Sequence, residues 1–493
     1  MIAPSRIWLL LALLLTLYSP VRSQAQQESR LQSEFRKEAA GLSNCKSFSS
    51  AGGCVQTLFT GQPLHIAVGS LSPQNGVGGG LAFVEHWHPE NCPSWINFTA
   101  PGSKTTCRWR SNLNADAVAT GNASWRAGAY LKAYRIPGGT TYRSAPVVNL
   151  YSQTTSLNRV YYYGLGPNTS PTAISAFGIT QTIAGTQAIL PFGGKTGIGL
   201  LAEANGRFVS LRGDHSGASP SIEQGFNDAT APGLSRQPAY AQFGEGVRFT
   251  PRIPGNYVRL NYLAQFQQFV APSDSRNTFR RWIADLDHEF PLYRRSIPVQ
   301  PNPENGPDSC SAGSDGPCPN VCLRLRETFS PSSRTGPPSP DCPPLPASIS
   351  KEGSIDIRLL FNASVANAGH TVPFYFDPTL GGSDINGQPL LASYPDYRFR
   401  APNLLLLRGT IEHSLGRLPM GVFFSVDEGK VGLHRDDISF DHLRHSYTTG
   451  LTLHAGGLPV VYLLFAWGGN EGHHVTANLT NALLGGSSRP SLF

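Results

Sequence analysis

The stretch NYVRLNYLAQFQQF, Asn256–Phe269, decides the fold class. Val258, Leu260, Tyr262, Ala264 and Phe266 fall on one side of a two-residue period, and Arg259, Asn261, Gln265 and Gln267 fall on the other, with Leu263 as the interruption. A period of two is the signature of a β-strand, whose successive side chains point to opposite faces. The pattern recurs on both sides of this stretch. In WRAGAYLKAY, Trp125, Ala127, Ala129, Leu131 and Ala133 oppose Arg126, Tyr130, Lys132 and Tyr134. In RRWIADLDHEFPLY, Trp282, Ala284, Leu286 and Phe290 oppose Arg281, Asp285, Asp287 and Glu289. Alternation alone suits a soluble sandwich as well as a membrane barrel, so length and face content must choose. These runs reach the 9–11 residues that a tilted transmembrane strand needs. Their polar faces mix Arg, Asp, Glu and Gln, which suits a hydrated or plugged lumen, while the opposite faces carry small and aromatic residues suited to lipid and its interfaces. The fold expected is all-β, a transmembrane antiparallel β-barrel; a soluble β-sandwich is the alternative. Eighteen strand-like runs can be marked between 63 and 483, and about sixteen strands are expected, since bacterial barrels carry an even number.

The rest of the chain sets the context. Arg6, an apolar run from Ile7 to Tyr18 and a polar exit through Ala25 read as a signal peptide over 1–25, too short to span a bilayer. Leu31, Phe35 and Ala39 share one face of a short N-terminal helix within Gln26–Leu42, part of a periplasmic or plug segment over 26–60 that precedes a barrel over 61–493. The net charge of +7 is mild and no dense basic block occurs, which leaves no support for a nucleic-acid partner. Eight cysteines in an exported chain make disulfides the default. They form two groups, Cys45, Cys54, Cys92 and Cys107, then Cys310, Cys318, Cys322 and Cys342, with the pairing open within each. A zinc site in the second group is the sharper alternative, but the spacing is wide and the segment Pro-rich, so no metal or cofactor is expected. His86 and His88 share a strand face without an evident third ligand and read as interfacial residues beside Trp87. Two long insertions stand out, 294–350 with four cysteines and 367–402, and long barrel connections commonly face the outside.

Several ordered motifs carry a resemblance. VPFYFDPTLGGSD (Val372–Asp384), YPDYRFRAPNLLLL (Tyr394–Leu407) and GVFFSVDEGKV (Gly421–Val431) resemble the C-terminal barrel of the Omp85 superfamily, also called the bacterial surface antigen D15 family, the group of BamA- and TamA-like outer-membrane proteins. YYYGLGPNTS (Tyr161–Ser170) and PLHIAVGSLSPQNGVGGGLAF (Pro63–Phe83) resemble an earlier strand and the opening hairpin of that family. The resemblance implies sixteen outer-membrane strands and a sixth outer loop folded into the lumen, here 367–402. It implies further that an arginine at the tip of that loop, in a Val/Leu-Arg-Gly-Tyr/Phe motif, pairs with an acid of a late strand. By the same resemblance that acid is Asp427, with Glu412 a second lumen acid on the preceding strand. The tip of this chain reads Leu391-Ala392-Ser393-Tyr394, without the arginine or the glycine. A buried carboxylate needs a cationic partner. The loop residues Ser393, Tyr394, Tyr397, Arg398, Phe399 and Arg400 therefore hold two readings. In one, Arg398 or Arg400 supplies the charge to Asp427; in the other, Tyr397 and Phe399 pack the loop as a plug and Asp427 is hydrated.

Three classes of function follow. The resemblance implies membrane assembly or protein translocation, but the short segment 26–60 has no room for the periplasmic POTRA modules of such machines, so a separate periplasmic protein would be the partner chain. A plugged barrel or passive pore with a structural or surface role is the second class, with outer-membrane lipids as its surroundings. An outer-membrane lipid-active enzyme is the third. It would need Ser, His and acid side chains together on the outer wall, and His288 beside Trp282 and Leu286 is the feature that points there. Packing in an aromatic belt accounts for that histidine more simply, and the expectation is a protein without enzymatic activity. Phe493 resembles the terminal aromatic of outer-membrane barrels, although GGSSRPSLF is poor strand material.

Overall fold

The computed structural model describes residues 64–87, 109–135, 146–192, 196–214, 219–251, 253, 257–298, 347–415, 420–455, 458–469, 471–479 and 490. The expected signal peptide, the expected helix within Gln26–Leu42, His88 and all eight cysteines lie outside the described residues. The chain divides into two compact units, Met1–His65 and Ile66–Phe493, and the architecture below is that of the second.

The strands are β1 (Leu64–Ser70), β2 (Val77–Trp87), β3 (Trp109–Thr120), β4 (Trp125–Arg135), β5 (Val147–Tyr162), β6 (Ser175–Phe192), β7 (Ile198–Gly213), β8 (Tyr240–Phe249) and β9 (Arg259–Val270). They continue with β10 (Phe279–Pro298), β11 (Ala347–Ala366), the two-residue β12 (Thr379–Leu380) and β13 (Phe399–Arg400), β14 (Asn403–Ser414), β15 (Met420–Gly432), β16 (Arg444–Ala455), β17 (Leu458–Trp467) and β18 (His473–Leu479). Sixteen of them form one sheet in chain order, β1 to β11 and then β14 to β18, while β12 pairs with β13 inside the loop between β11 and β14. This is an antiparallel meander.

The sheet is inverted relative to a soluble protein. Buried positions on its strands include Asn114, Asp116, Arg126, Gln153, Gln181, Asn205, Arg207, Gln242, Gln265, Gln267 and Arg281. Exposed positions include Leu81, Trp125, Leu150, Leu190, Leu200, Phe208, Phe243, Val247, Trp282, Phe290, Leu407, Leu463 and Phe465, spread over strands from β2 to β17. A soluble monomer does not carry an apolar band of that extent, whereas a barrel in lipid does. The fold is all-β as expected, and the sandwich alternative has no second sheet of comparable size among the described residues.

Four of the eighteen sequence runs fuse in pairs, giving β5 and β6 and bringing the count to the expected sixteen wall strands. The segment 154–157, which lies between two of those runs, pairs with β6 throughout, and a register shift between Leu157 and Val160 disrupts the alternation just beyond it. Such a bulge places two residues against one and flips the pattern that sequence reading depends on. The strands also reach further than expected into the 294–350 insertion: β10 runs to Pro298 and β11 starts at Ala347. The expectation that both long insertions face the same side does not hold. Successive connections of a meander lie at alternate ends, so the β10–β11 connection and the 367–402 loop leave the sheet at opposite ends.

Candidate functional site: the loop seated in the lumen

The loop from Asn367 to Pro402 touches connections of the sheet from its first hairpin to its last. Its Thr371 N–H donates to Arg276 O beside β10 (2.9 Å), and its Phe374 N–H donates to Pro232 O between β7 and β8 (3.0 Å). The Tyr397 hydroxyl meets Ser72 Oγ (2.6 Å) in the β1–β2 turn. Arg400 O accepts the Gly166 N–H (2.8 Å) between β5 and β6. Arg398 reaches Glu471 in the β17–β18 turn. One loop can meet the first, middle and last turns of a sixteen-stranded sheet when the sheet curls around it.

The base of the loop is an aromatic anchor. Phe374, Tyr375 and Phe376 are fully buried, and they spread over several wall strands. Phe374 packs on Tyr162 (4.9 Å between ring centroids) and Phe177 (5.3 Å), and Phe376 on Tyr240 (4.9 Å) and Phe269 (5.2 Å). Such edge-on and tilted pairs add to the burial of large apolar rings. Beside them lies a fully buried carboxylate, Asp377, flanked by Arg281 and Arg400. Arg281 donates to Ser364 Oγ (3.0 Å) and Phe376 O (2.5 Å), and Arg400 donates to Phe374 O (3.0 Å). Burial pushes the Asp377 carboxyl well above the usual carboxylate range, and the two guanidinium groups pull it back.

The tip is held by its backbone. Leu391 has a φ of 53°, a left-handed conformation that costs a side chain about 1 kcal/mol or more. Its N–H donates to Asp427 Oδ2 (2.9 Å). Asp427 is 1% exposed and receives two further bonds from Arg408, Nε to Oδ1 at 2.6 Å and Nη2 to Oδ2 at 2.7 Å. Arg408 also donates to the carbonyl of Pro389, and the Ser393 N–H donates to Ser446 Oγ (2.9 Å). A bidentate guanidinium–carboxylate pair with a backbone donor on the same acid is among the stronger arrangements available to a buried charge. Leu390, Leu391, Tyr394 and Phe399 complete the seat against Leu404 and Leu406 of β14.

The expectation for the partner of Asp427 is corrected here. Neither Arg398 nor Arg400 pairs with it; Arg408, directly opposite on the neighbouring strand, does. The physical reason is register, since β14 and β15 bring those two side chains face to face without any shift of the loop. Nor is Asp427 left to water. Arg398 instead forms a bidentate pair with Glu471 (2.6 and 2.8 Å), donates to Thr169 Oγ1 (2.7 Å) and Thr169 O (2.6 Å), and lies over Tyr163 and Phe399. Tyr397 and Phe399 are buried, as the packing reading expects of them, and Tyr394 is buried beside Phe399. Glu412 lies on the face of β14 that carries Arg408 and Thr410, beside Phe423, Ser425 and Tyr462. Sequence reasoning missed Arg408, Arg281, Asp377 and the three base aromatics. Parity along β14, which puts 404, 406, 408 and 412 on one face, was the signal available for Arg408.

The other candidates settle differently. His288 is on the outer face, its Nε2 bonded to the Tyr262 hydroxyl (2.5 Å) with the rings edge-on at 5.1 Å. That is aromatic packing, and among the described residues no serine is hydrogen-bonded to the pair. The side chain of His86 lies outside the described residues. Among the described residues no group of three or more His, Cys, Asp and Glu side chains is placed to hold a metal ion.

Compared with solved structures, 85% of the chain superposes on 69% of BamA from Haemophilus ducreyi lacking POTRA domains 1–3, at 10% identity and a TM-score of 0.43. It superposes likewise on 62% of CdiB from Escherichia coli, at 12% identity and a TM-score of 0.45, and on 60% of CdiB from Acinetobacter baumannii, at 10% identity and a TM-score of 0.40. The chain thus spans 60–69% of the length of these proteins. No family model and no curated protein matches the sequence.

Proposed function

We propose that this protein is an Omp85-type β-barrel of a bacterial outer membrane whose inward loop is a releasable plug, and that release serves membrane assembly or protein translocation with a separate periplasmic partner chain. The observation that supports this reading is the lock on Asp427. One carboxylate joins the wall arginine Arg408 to the backbone of the loop tip, so the tip is held to the wall at one charged site that a change at Asp427 can release. The ordered sequence motifs support the family, and the inverted polarity of the sheet supports the membrane setting. A loop meant only to fill the lumen would need the aromatic base and no charged latch at its tip. The second reading, a permanently plugged barrel with a surface role, rests on the many seats of the loop outside the latch.

Single-channel recording in planar bilayers separates the two. The wild type is expected to stay mostly closed, and Asp427→Asn to open at least about tenfold more often, the ratio that corresponds to about 1.4 kcal/mol. Reconstituted vesicles are then assayed for faster folding of an unrelated outer-membrane barrel. Closed channels in both proteins, together with no acceleration, would establish the permanent plug instead.

A further inference from the structure

Beside the seated loop, the lumen holds a cavity of about 600 Å³. Carboxamides recur along its wall: Gln153 of β5, Asn205 of β7, Gln242 of β8, Gln265 and Gln267 of β9, and Asn362 of β11. The charged side chains on the same wall are three arginines and three acids, Arg126, Arg207 and Arg358 with Glu203, Asp285 and Asp384. They are engaged with the protein itself. Arg358 and Asp285 form two bonds of 2.8 Å, and Arg126 pairs with Asp116. Glu203 accepts from Gln242 (2.7 Å) and Gln267 (2.8 Å), and Arg207 donates to Gln242. Asp384 accepts the N–H groups of Asn386 (2.9 Å) and Gln388 (2.7 Å).

The charges on the wall are equal in number and each is engaged by the protein, through an ion pair, a glutamine or a backbone N–H, so the cavity makes no demand for an ion. Among the carboxamides of this wall, Gln265 Nε2, Gln267 Oε1 and Asn362 Oδ1 have no hydrogen-bond partner, with the two glutamines each 7% exposed. A buried amide without a partner is costly, so a ligand that these side chains can turn to meet gains accordingly. A hydroxyl both donates and accepts, and therefore satisfies an amide whichever way it is turned. Between the amides lie Ile183, Leu263, Ile283 and Leu360, apolar surfaces that suit the C–H faces of a ring. An extended peptide fits less well, because the strands around the cavity have spent their backbone groups on ladder bonds and offer no edge to pair with.

We infer that this cavity binds a neutral, hydroxyl-rich ligand, a short uncharged oligosaccharide. The volume lies within the range of small-ligand sites. The inference does not rest on the loop being releasable, since the cavity exists with the loop seated.

The test is titration calorimetry on the full-length protein in detergent with maltotriose, cellotriose and chitotriose, and with trigalacturonate and a neutral tripeptide as comparisons. At least one neutral trisaccharide is expected to bind with a Kd on the order of 1 mM or tighter. Gln265→Leu and Gln267→Leu, each verified as folded by heat-modifiable migration, are expected to weaken it at least about tenfold, the ratio that corresponds to loss of one hydrogen bond. No binding of any neutral trisaccharide overturns the inference. So does binding that both substitutions leave unchanged, or preference for trigalacturonate or the peptide. If one variant fails to fold, the other and Asn362→Leu carry the same comparison.

Discussion

At the scale of single residues, the Arg408–Asp427 pair sets the clearest expectation. Removing one member of a buried ion pair leaves the other uncompensated and costs about 3–5 kcal/mol, while replacing both by apolar groups costs far less. Arg408→Met and Asp427→Leu are each expected to lower the temperature of the heat-modifiable transition markedly, and the double variant to lie well above their sum. Additive losses would mean the two side chains are not coupled. Asp384, in the loop, gives a pH dependence. Burial pushes its carboxyl up to about 6, against the opposing bonds from Gln388 and Asn386. An acid with a folded pKa above its unfolded value of about 3.9 binds its proton more tightly when folded, so the stability it contributes is present below about pH 4 and lost as pH rises through about 6. The unfolding temperature is therefore expected to fall across that window, and Asp384→Asn to flatten that part of the profile. An unchanged slope in the variant would place the titration elsewhere. The partner of Asp427 was open to sequence reading in one respect. Arg408 stands six residues before Ser414 and Asp427 six after Gly421, and Ser414 pairs with Gly421 across the hairpin. Looking along the loop for the cation, instead of across that hairpin, led to Arg398 and Arg400.

At the scale of elements, the alternation of β4, β9 and β10 was legible because the two faces of each strand meet different solvents, lumen and lipid. The fused runs of β5 and β6 were not, because Thr and Ser populate both faces there and a bulge shifts the phase. The loop was legible as a unit, its limits at 367 and 402 matching the ends of β11 and β14, but its seat depends on contacts that no local pattern encodes. Gly381 shows how tightly the loop folds on itself. It has a φ of 109°, and a side-chain carbon there would lie 2.5 Å from Arg398 Cβ and 2.7 Å from Pro395 O. Gly381→Ala is expected to unseat the loop, combining the unfavourable φ with a clash that backbone atoms cannot relieve. Limited proteolysis should then cut within 367–402, where the wild type is protected. Protection equal to the wild type would mean that the loop tolerates a different path.

At the scale of the whole molecule, the inverted distribution of polarity is what places the sheet in a membrane. Leu407 is on the outer face near the middle of β14, whereas Gln187 lines the lumen. An arginine on the lipid face near the bilayer midplane costs about 2–4 kcal/mol, and one in a polar lumen much less. Leu407→Arg is expected to reduce the folded fraction recovered in lipid vesicles well below that of Gln187→Arg, as read by heat-modifiable migration; equal yields would contradict the assignment of faces. Strand number and the inner and outer faces of the strands were thus available from the sequence. The end at which each long connection emerges was not read correctly, because length was used where the parity of the strands decides.

The bond between Tyr397 and Ser72 joins residues 325 positions apart. Contacts of that range are the last to become affordable to a chain that is still closing shorter loops. The loop therefore reports on history as well as state: its seat comes into being when the first hairpin and the final turn are both in position, and a protease-resistant loop marks a chain whose assembly has reached its final stage.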